Sequence, residues 1–295
     1  MRYDLLAGAG ASGVRALPLS APTILVFDSG VGGLTVLSEV MRARPDARFI
    51  YAADDAAFPY GRLSEDDLRA RVPAVIEKLI ARFSPDAVVI ACNTASTVAL
   101  PVLRARFSIP FVGTVPAVKP AAALSRSRIA AVLATPGTVA RDYTRDLIET
   151  YAGDCEMLLV GSTKLASLAE AHLRGEPVSD EAIAAEIAPC FVERKRADGY
   201  VARTDVIALS CTHYPLLRES FERLAAWPVT YIDPAPAIAR RVTQLIGESL
   251  MNGAMRCEAV ALFTSGAGLT PALKAALAAR GLDDVAIEAM PLALN

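Results

Sequence analysis

The chain has 295 residues, a length suited to two domains or one large one. Apolar residues make up 53% of it and charged residues 21%, which excludes intrinsic disorder as its overall state. A net charge of −2, from 30 basic and 32 acidic side chains, excludes a chain-wide nucleic-acid footprint. Residues 1–21, with Arg2, Asp4 and a short apolar patch broken by Gly and Ser, make a poor signal peptide. They read as a loose extension on a cytoplasmic protein. No apolar run approaches the roughly 18 residues of a membrane span, so no membrane association is expected. Strands are predicted at 23–27, 48–53, 86–91, 109–112, 128–134, 156–160, 204–209, 229–232 and 258–264. Helices are predicted at about 33–43, 64–83, 95–106, 116–124, 138–151, 163–173, 179–197, 214–226, 234–251 and 270–280. This alternation predicts an α/β protein with mostly parallel sheets flanked by helices. The basic run Arg194-Lys195-Arg196 reads as a solvated helix end.

Two segments echo each other. Val88-Val89-Ile90-Ala91-Cys92-Asn93-Thr94 and Val206-Ile207-Ala208-Leu209-Ser210-Cys211-Thr212 are both apolar strands running into a cysteine, a threonine and a helix. A weaker echo pairs residues 24–33 with 131–139. With the break at Pro110 and Gly113-Thr114-Val115-Pro116, this suggests two related halves with a strand-end cysteine in each, facing one cleft.

In open parallel sheets, ligands bind beyond the carboxyl ends of the strands. The first such end carries Asp28-Ser29-Gly30-Val31-Gly32-Gly33. Its glycine spacing does not match a dinucleotide fingerprint. A carboxylate-binding turn with Asp28 as a charged partner suits it better, and a bare strand-to-helix turn is the bland alternative. Cys92 and Cys211 each precede a helix, whose N-terminal field lowers a thiol pKa, and each is followed by hydrogen-bonding residues. Either thiol then suits a nucleophile or base. His213 lies two residues beyond Cys211, whereas His172 reads as a surface residue. Cys155, Cys190 and Cys257 read as small apolar core residues. With five scattered cysteines, no CxxC and two histidines, neither a disulfide framework nor a metal site is expected.

The blocks around Asp28-Ser29-Gly30-Val31-Gly32-Gly33, Pro59-Tyr60-Gly61, Cys92-Asn93-Thr94-Ala95-Ser96, Ala134-Thr135-Pro136-Gly137-Thr138 and Cys211-Thr212-His213-Tyr214-Pro215 resemble the signature blocks of the glutamate racemase family. The order agrees, and the resemblance covers about residues 22–267. It implies two pseudo-symmetric α/β domains, the first formed by 22–114 plus 229–295 and the second by 115–228, with the active site in the cleft between them. It also implies a cofactor-independent enzyme that interconverts L- and D-glutamate and supplies D-glutamate for peptidoglycan. Cys92 would take the α-proton from D-glutamate while Cys211 protonates the opposite face, with the roles reversed for L-glutamate. Asp28 would assist Cys92 and His213 would assist Cys211, and Glu170 matches the family's second acidic helper. The block before Glu170, Gly161-Ser162-Thr163, departs from the family's commoner Ala-Cys-Pro, and an exposed helix acid is the alternative for Glu170. The substrate would be bound by Asp28, Ser29, Pro59, Tyr60, Gly61, Asn93, Thr94, Thr135, Thr138, Thr212 and His213.

The N-terminal extension and a long insert around 171–203 are similar to proteobacterial members. In those, UDP-N-acetylmuramoyl-L-alanine acts as an activator, and a homodimer is implied. Asp233-Pro234-Ala235 replaces the family's Asp-Ser-Ala, which bears on the hinge rather than the chemistry. Alternatives are a racemase for aspartate or another amino acid, a decarboxylase or diacid isomerase on the same scaffold, and a non-catalytic diacid-binding protein.

Overall fold

The computed structural model describes residues 21–249 and 258–290. The expected extension, up to residue 20, and Cys257 lie outside the described residues. The first half begins β1 (Thr23–Asp28), α1 (Leu34–Ala43), β2 (Arg48–Ala53), α2 (Glu65–Phe83), β3 (Ala87–Ile90), α3 (Asn93–Arg106) and β4 (Phe111–Gly113). The chain then crosses to α4 (Val118–Leu124), β5 (Ile129–Ala134), α5 (Pro136–Val139), α6 (Asp142–Tyr151), β6 (Glu156–Gly161), α7 (Leu165–Leu173) and α8 (Asp180–Ile187). A small hairpin, β7 (Glu193–Lys195) and β8 (Val201–Arg203), precedes β9 (Val206–Ser210), α9 (Arg218–Leu224) and β10 (Thr230–Ile232). It returns through α10 (Ala235–Ile246), β11 (Ala259–Phe263), α11 (Pro271–Ala278) and β12 (Asp284–Ile287).

The strands form two parallel sheets, β12-β11-β2-β1-β3-β4 and β10-β9-β5-β6. The order β2-β1-β3-β4 in one matches β6-β5-β9-β10 in the other, strand for strand. The halves are therefore topological twins, and β11 and β12 extend the first. β1, β3, β5 and β9 are buried along their lengths, with Ile24, Leu25, Val88, Ala131 and Ile207 all at 0% exposure. Near-continuous apolar runs follow from helices covering both faces of a parallel sheet. Even residues of β1 and β2's odd residues face α1 and α10, while Leu25, Phe27 and Ile50 face α2 and α3.

Three sequence expectations change. The strand at 230–232 pairs with β9, not with the first sheet, so the chain returns to the first half after Ile232 and not at residue 229. β10 is the counterpart of β4, which the local apolar pattern could not reveal. The helix expected over 179–197 ends at Ile187, because Pro189 cannot continue it. Arg194-Lys195-Arg196 then enters a hairpin turning at Asp198-Gly199, where Gly199 has φ +85°. Arg194 there pairs with Glu156 at 2.7 Å, so the basic run is not a helix end. The edge strand β12 lacks a strong apolar signal, with Asp284 and Ile287 exposed, and the sequence reading did not include it. Among the described residues, no helix is long and apolar enough to cross a membrane.

One buried ion pair stiffens the first half near the cleft. Asp54, fully buried after β2, takes both arms of Arg71 at 2.6 Å, the Tyr60 hydroxyl at 2.5 Å and the Thr264 hydroxyl at 2.8 Å. Burial and the Asp54 charge hold the Tyr60 phenol well above its usual pKa, so it stays a donor. Removing one member of such a pair leaves an uncompensated buried charge. Arg71→Met is expected to cost about 3–5 kcal/mol in urea unfolding, and to loosen Tyr60. A loss below about 1 kcal/mol would show that Asp54 does not depend on it.

Candidate active site

The carboxyl ends of β1, β3, β5 and β9 meet at one small cavity, whose free space is about 20 Å³. That is room for about one water molecule, so the cleft lies closed. Both cysteines line it. Cys92 ends β3 at the N-terminus of α3, and Cys211 ends β9 at the turn into a short 3-10 stretch, Tyr214–Leu217. Because β3 and β9 are twins, the two thiols enter from opposite halves. Both are nearly buried, at 6% and 7% exposure.

The glycine turn after β1 closes on the second half. Asp28 is fully buried beneath it and accepts from Ser29 N–H at 2.8 Å and Gly33 N–H at 2.5 Å. The Thr212 hydroxyl, from the other half, donates to the same carboxylate at 3.1 Å. Burial raises Asp28 above the usual carboxylate pKa, and the His213 charge and these donors pull back against it. Ser29 Oγ lies 3.8 Å from Cys92 Sγ. A Cβ on Gly32 would meet His213 Nδ1 at 2.5 Å and Thr212 Oγ1 at 2.6 Å, so the halves approach this closely only through glycine.

A relay lies behind Cys211. Its Sγ is 3.8 Å from His213 Nδ1, and His213 Nε2 is 2.9 Å from Glu170 Oε1. Gly32 N–H also points at Nε2, from 3.2 Å, but that nitrogen cannot accept while it donates. The charge-assisted bond to Glu170 is the stronger, so Nε2 carries the proton. Burial lowers the His213 pKa, yet the bonds and charges of Cys211 and Glu170 outweigh it and hold it well above the usual value. Glu170 is itself buried, at 2%, which settles against an exposed helix acid. Burial raises its pKa, but His213, the Val31 N–H at 2.8 Å and Arg174 bring it below the ordinary value.

Cys92 differs from the sequence expectation. The α3 N-terminus does offer it the Ala95 N–H, but burial first and the Asp28 charge second push its thiol well above the usual range. Helix field alone does not decide thiol acidity in a closed site.

Of the residues expected to hold substrate, Ser29, Pro59, Tyr60 and Gly61 line one wall of the cavity, Asn93 and Thr94 the floor at α3, and Thr135, Thr212 and His213 the facing wall. Asp28 sits under the turn and Glu170 behind His213, outside the cavity lining. Thr138 is also outside: fully buried, it lies 3.0 Å from the Thr135 hydroxyl, which is 3.3 Å from that of Thr94. The side-chain amide of Asn93 is buried at the cavity with neither nitrogen nor oxygen bonded to another described residue. An unpaired buried amide costs about 1–3 kcal/mol, which an ammonium or carboxylate in the cavity would recover. Ser210 Oγ, also a cavity residue, is unpaired in the same way. Sequence reading did not name Ser210, Phe58 or Ala166 as lining; Ser210 was visible only as the residue before a strand-end cysteine. His172 is exposed, and Cys155 and Cys190 are buried away from the cleft, as expected. Among the described residues, no group of three or more His, Cys, Asp or Glu side chains is arranged to hold a metal ion.

Two thiols brought to one cavity by twinned parallel sheets make this the candidate active site of an α/β protein, and the relatives of the chain give its class as a racemase. The model of the Asp/Glu/Hydantoin racemase family matches residues 28–242, and the chain belongs to that family. A glutamate racemase of Brucella anthropi is 56% identical over 224 residues, 76% of this chain and 79% of that one. One of Agrobacterium fabrum is likewise 56% identical over 224 residues, 76% of this chain and 80% of that one. The crystal structure of Escherichia coli glutamate racemase with L-glutamate and the activator UDP-MurNAc-Ala superposes with a TM-score of 0.79. It is 39% identical and covers 92% of this chain and 100% of that one.

The Glu170–His213 pair makes stability depend on pH. Glu170, held below 4.5, contributes stability that is present above that value and lost as pH falls through its lowered pKa. His213, held above 6.5, contributes stability that is full below that value and lost as pH rises through its raised pKa. Glu170→Gln is therefore expected to destabilise most between the two, by about 2–3 kcal/mol, with the gap narrowing on both sides. Denaturant melts across the pH range check this, and a gap that does not vary with pH would contradict it.

Proposed function

We propose that this chain is a cofactor-independent glutamate racemase, acting as a cytoplasmic homodimer to supply D-glutamate for peptidoglycan. The observation that carries the reading is the pair of strand-end thiols, Cys92 and Cys211, lining one cavity from twinned halves. Racemisation needs a base and an acid on opposite faces of one carbon, and a twofold-related pair of groups supplies that. The choice of glutamate is supported by the identity to glutamate racemases and by the L-glutamate in the Escherichia coli structure.

The α-proton of an amino acid is weakly acidic, and every 1.36 kcal/mol removed from the barrier is about tenfold in rate. In this reading the Asn93 amide and the hydroxyls of Ser29, Thr94, Thr135 and Thr212 hold the substrate's carboxylates and ammonium. The Pro59-Tyr60-Gly61 wall fixes the side chain. These donors act in a dry cavity, where they are worth most at a carbanion-like transition state. For L-glutamate, Cys211 takes the α-proton and Cys92 delivers one to the other face. The Cys92 thiol, kept protonated by burial and by Asp28, suits that delivery. For D-glutamate the roles reverse: Cys92 takes the α-proton and Cys211 delivers one to the other face. In that direction the His213 imidazolium, anchored by Glu170, can return a proton to Cys211 after that thiol has delivered one to the substrate. A cavity of about 20 Å³ cannot admit glutamate, so the halves part to load it and close to exclude water.

L- and D-glutamate have equal free energies, so kcat/KM is the same in both directions and loss of either thiol shows in both. Cys92→Ser and Cys211→Ser are each expected to lower racemisation by about 10²–10⁴-fold. In D₂O, Cys92→Ser should still exchange the α-proton of L-glutamate, and Cys211→Ser that of D-glutamate, by proton NMR with chiral analysis. Normal racemisation by both variants would overturn the two-thiol mechanism. Faster turnover of L-aspartate than of L-glutamate by the unmodified chain would favour the aspartate alternative. No exchange with either would favour a binding protein.

The same assay tests UDP-N-acetylmuramoyl-L-alanine as an activator, a role suggested by the Escherichia coli complex. Turnover is expected to rise on adding it, and no response at saturation would remove it from the proposal. Sedimentation at the mass of one chain, 31.1 kDa, would count against the homodimer.

A further inference from the structure

Arg174 lies just past α7, one turn beyond Glu170, and touches both halves of the molecule. Its Nη2 donates to Glu170 Oε2 at 2.9 Å, the carboxylate oxygen that His213 does not use. Its guanidinium lies flat against Gly268 in the loop between β11 and α11, where a Cβ would come within 2.7 Å of Nη2 and 2.8 Å of Nε. The Thr270 hydroxyl, at the end of that loop, donates to the Arg174 carbonyl at 3.1 Å. The start of the same loop reaches the opposite wall of the cavity. Thr264 donates to Asp54, which holds Tyr60, and the N–H groups of Ser265 and Gly266 each donate to Asp55 at 2.8 Å. One loop of the first half thus contacts the support of Tyr60 at one end and, through Arg174, the support of Cys211 at the other.

We propose that Arg174 is a positioning residue for the racemase reaction, coupling closure of the two halves to the Glu170–His213–Cys211 relay. This rests on the reading of the site given above. Glu170 is oriented by three donors from three elements: Arg174 on its own helix, the Val31 N–H of the glycine turn, and His213 from the segment after β9. Val31 belongs to the first half, and the Arg174 guanidinium is pressed in place by a loop of the first half. Opening the cleft withdraws both, so the carboxylate is fully oriented only in the closed form. Positioned this way, Glu170 fixes the tautomer and the plane of the His213 ring toward Cys211.

The charged and titratable groups around Glu170 are few. Arg174 faces it from the end of α7, His213 with Cys211 behind it from the β9 end, and Tyr51 from β2, with Asp28 acting on His213 and Arg280 on Tyr51 one step further out. Among the described residues, Arg174 is the permanent cation paired directly with Glu170, because its other ion-pair partner, His213, can lose its proton. Its removal disfavours the ionised carboxylate and moves the acid limb of activity upward.

The test compares Arg174→Ala, Arg174→Lys and Gly268→Ala in the full chain. Arg174→Ala is expected to lower kcat about tenfold and to move the acid limb of the kcat/KM profile up by about half to one pH unit. Arg174→Lys, which keeps the charge but not the planar fork, should return the limb to its position and restore part of the rate. Gly268→Ala should weaken activity in the same sense by displacing the guanidinium. A purely structural role would lower the amount of active enzyme and leave the limb in place. A readout independent of activity is the ring ¹⁵N spectrum of histidine-labelled protein, in which His172 is the only other histidine. The His213 signals should shift in Arg174→Ala and recover in Arg174→Lys. If the unmodified chain racemises glutamate and Arg174→Ala leaves both the limb and the ring signals unchanged, the proposal is overturned. If the ring signals move as expected but the unmodified chain does not racemise glutamate, the coupling stands and the functional reading falls.

Discussion

A carboxylate with no access to solvent organises this molecule. Asp28 ends the central strand of the first sheet and must find donors, because an unpaired buried charge is prohibitively costly. It finds two in the turn that follows, the N–H groups of Ser29 and Gly33, and a third in the Thr212 hydroxyl of the other half. The first two curl the chain into a tight glycine turn; the third joins the halves. Once the turn is set, its next N–H groups point outward at Val31 and Gly32, directly onto Glu170 and His213. A polar seam joins the two halves, with Phe58 and Leu173 each packing against the core of the opposite half beside it.

That seam explains the distribution of glycine. Gly33 has no room for a Cβ because Asp28 Cβ would lie 2.8 Å away, and Gly32 has none because of His213 and Thr212. These glycines are required by closeness rather than by backbone angle, since neither has a positive φ. A seam of hydrogen bonds between backbone and side chains also suits a cleft that opens and closes. Its donors can turn to water on opening, whereas a buried apolar face would oppose separation.

The thiols show how the twin architecture produces unequal environments. The strand order is matched, yet Cys92 has a carboxylate for a neighbour and Cys211 has an imidazole. The burial and the Asp28 charge keep a proton on Cys92, whereas Cys211 sits 3.8 Å from a histidine that holds one. Twinned topology thus places two like groups at one cavity, and the residues around each give them different electrostatic surroundings.

The local pattern of the chain carried most of the architecture. Short β-branched and aliphatic runs separated by amphipathic stretches mark buried parallel strands, and the strand ends put Asp28, Cys92, Thr135 and Cys211 where ligands bind. The echo of 88–94 in 206–212 was visible because the same buried strand-to-helix turn constrains both. Other features depend on which strand pairs with which. That β10 belongs beside β9 rests on hydrogen bonds between segments over twenty residues apart, and its three residues hold no such information. The hairpin at 193–203 was hidden by a helix-like run, although Pro189 and Asp198-Gly199 were signals for it. Asp54 and Arg71 are ordinary charged residues in sequence, and only their burial together shows that they brace Tyr60. An exposed helix acid stayed open as the alternative for Glu170, and the packing of α7 against the glycine turn removes it. The acidity of Cys92 escapes a local reading for the same reason: helix position is local, but desolvation is a property of everything packed around an atom. Sequence alone determined the repeating β–α pattern and the residue types at the strand ends, since both follow from neighbours along the chain. The tertiary structure decided which carboxylate meets which histidine and how buried each thiol is, since those follow from neighbours across it.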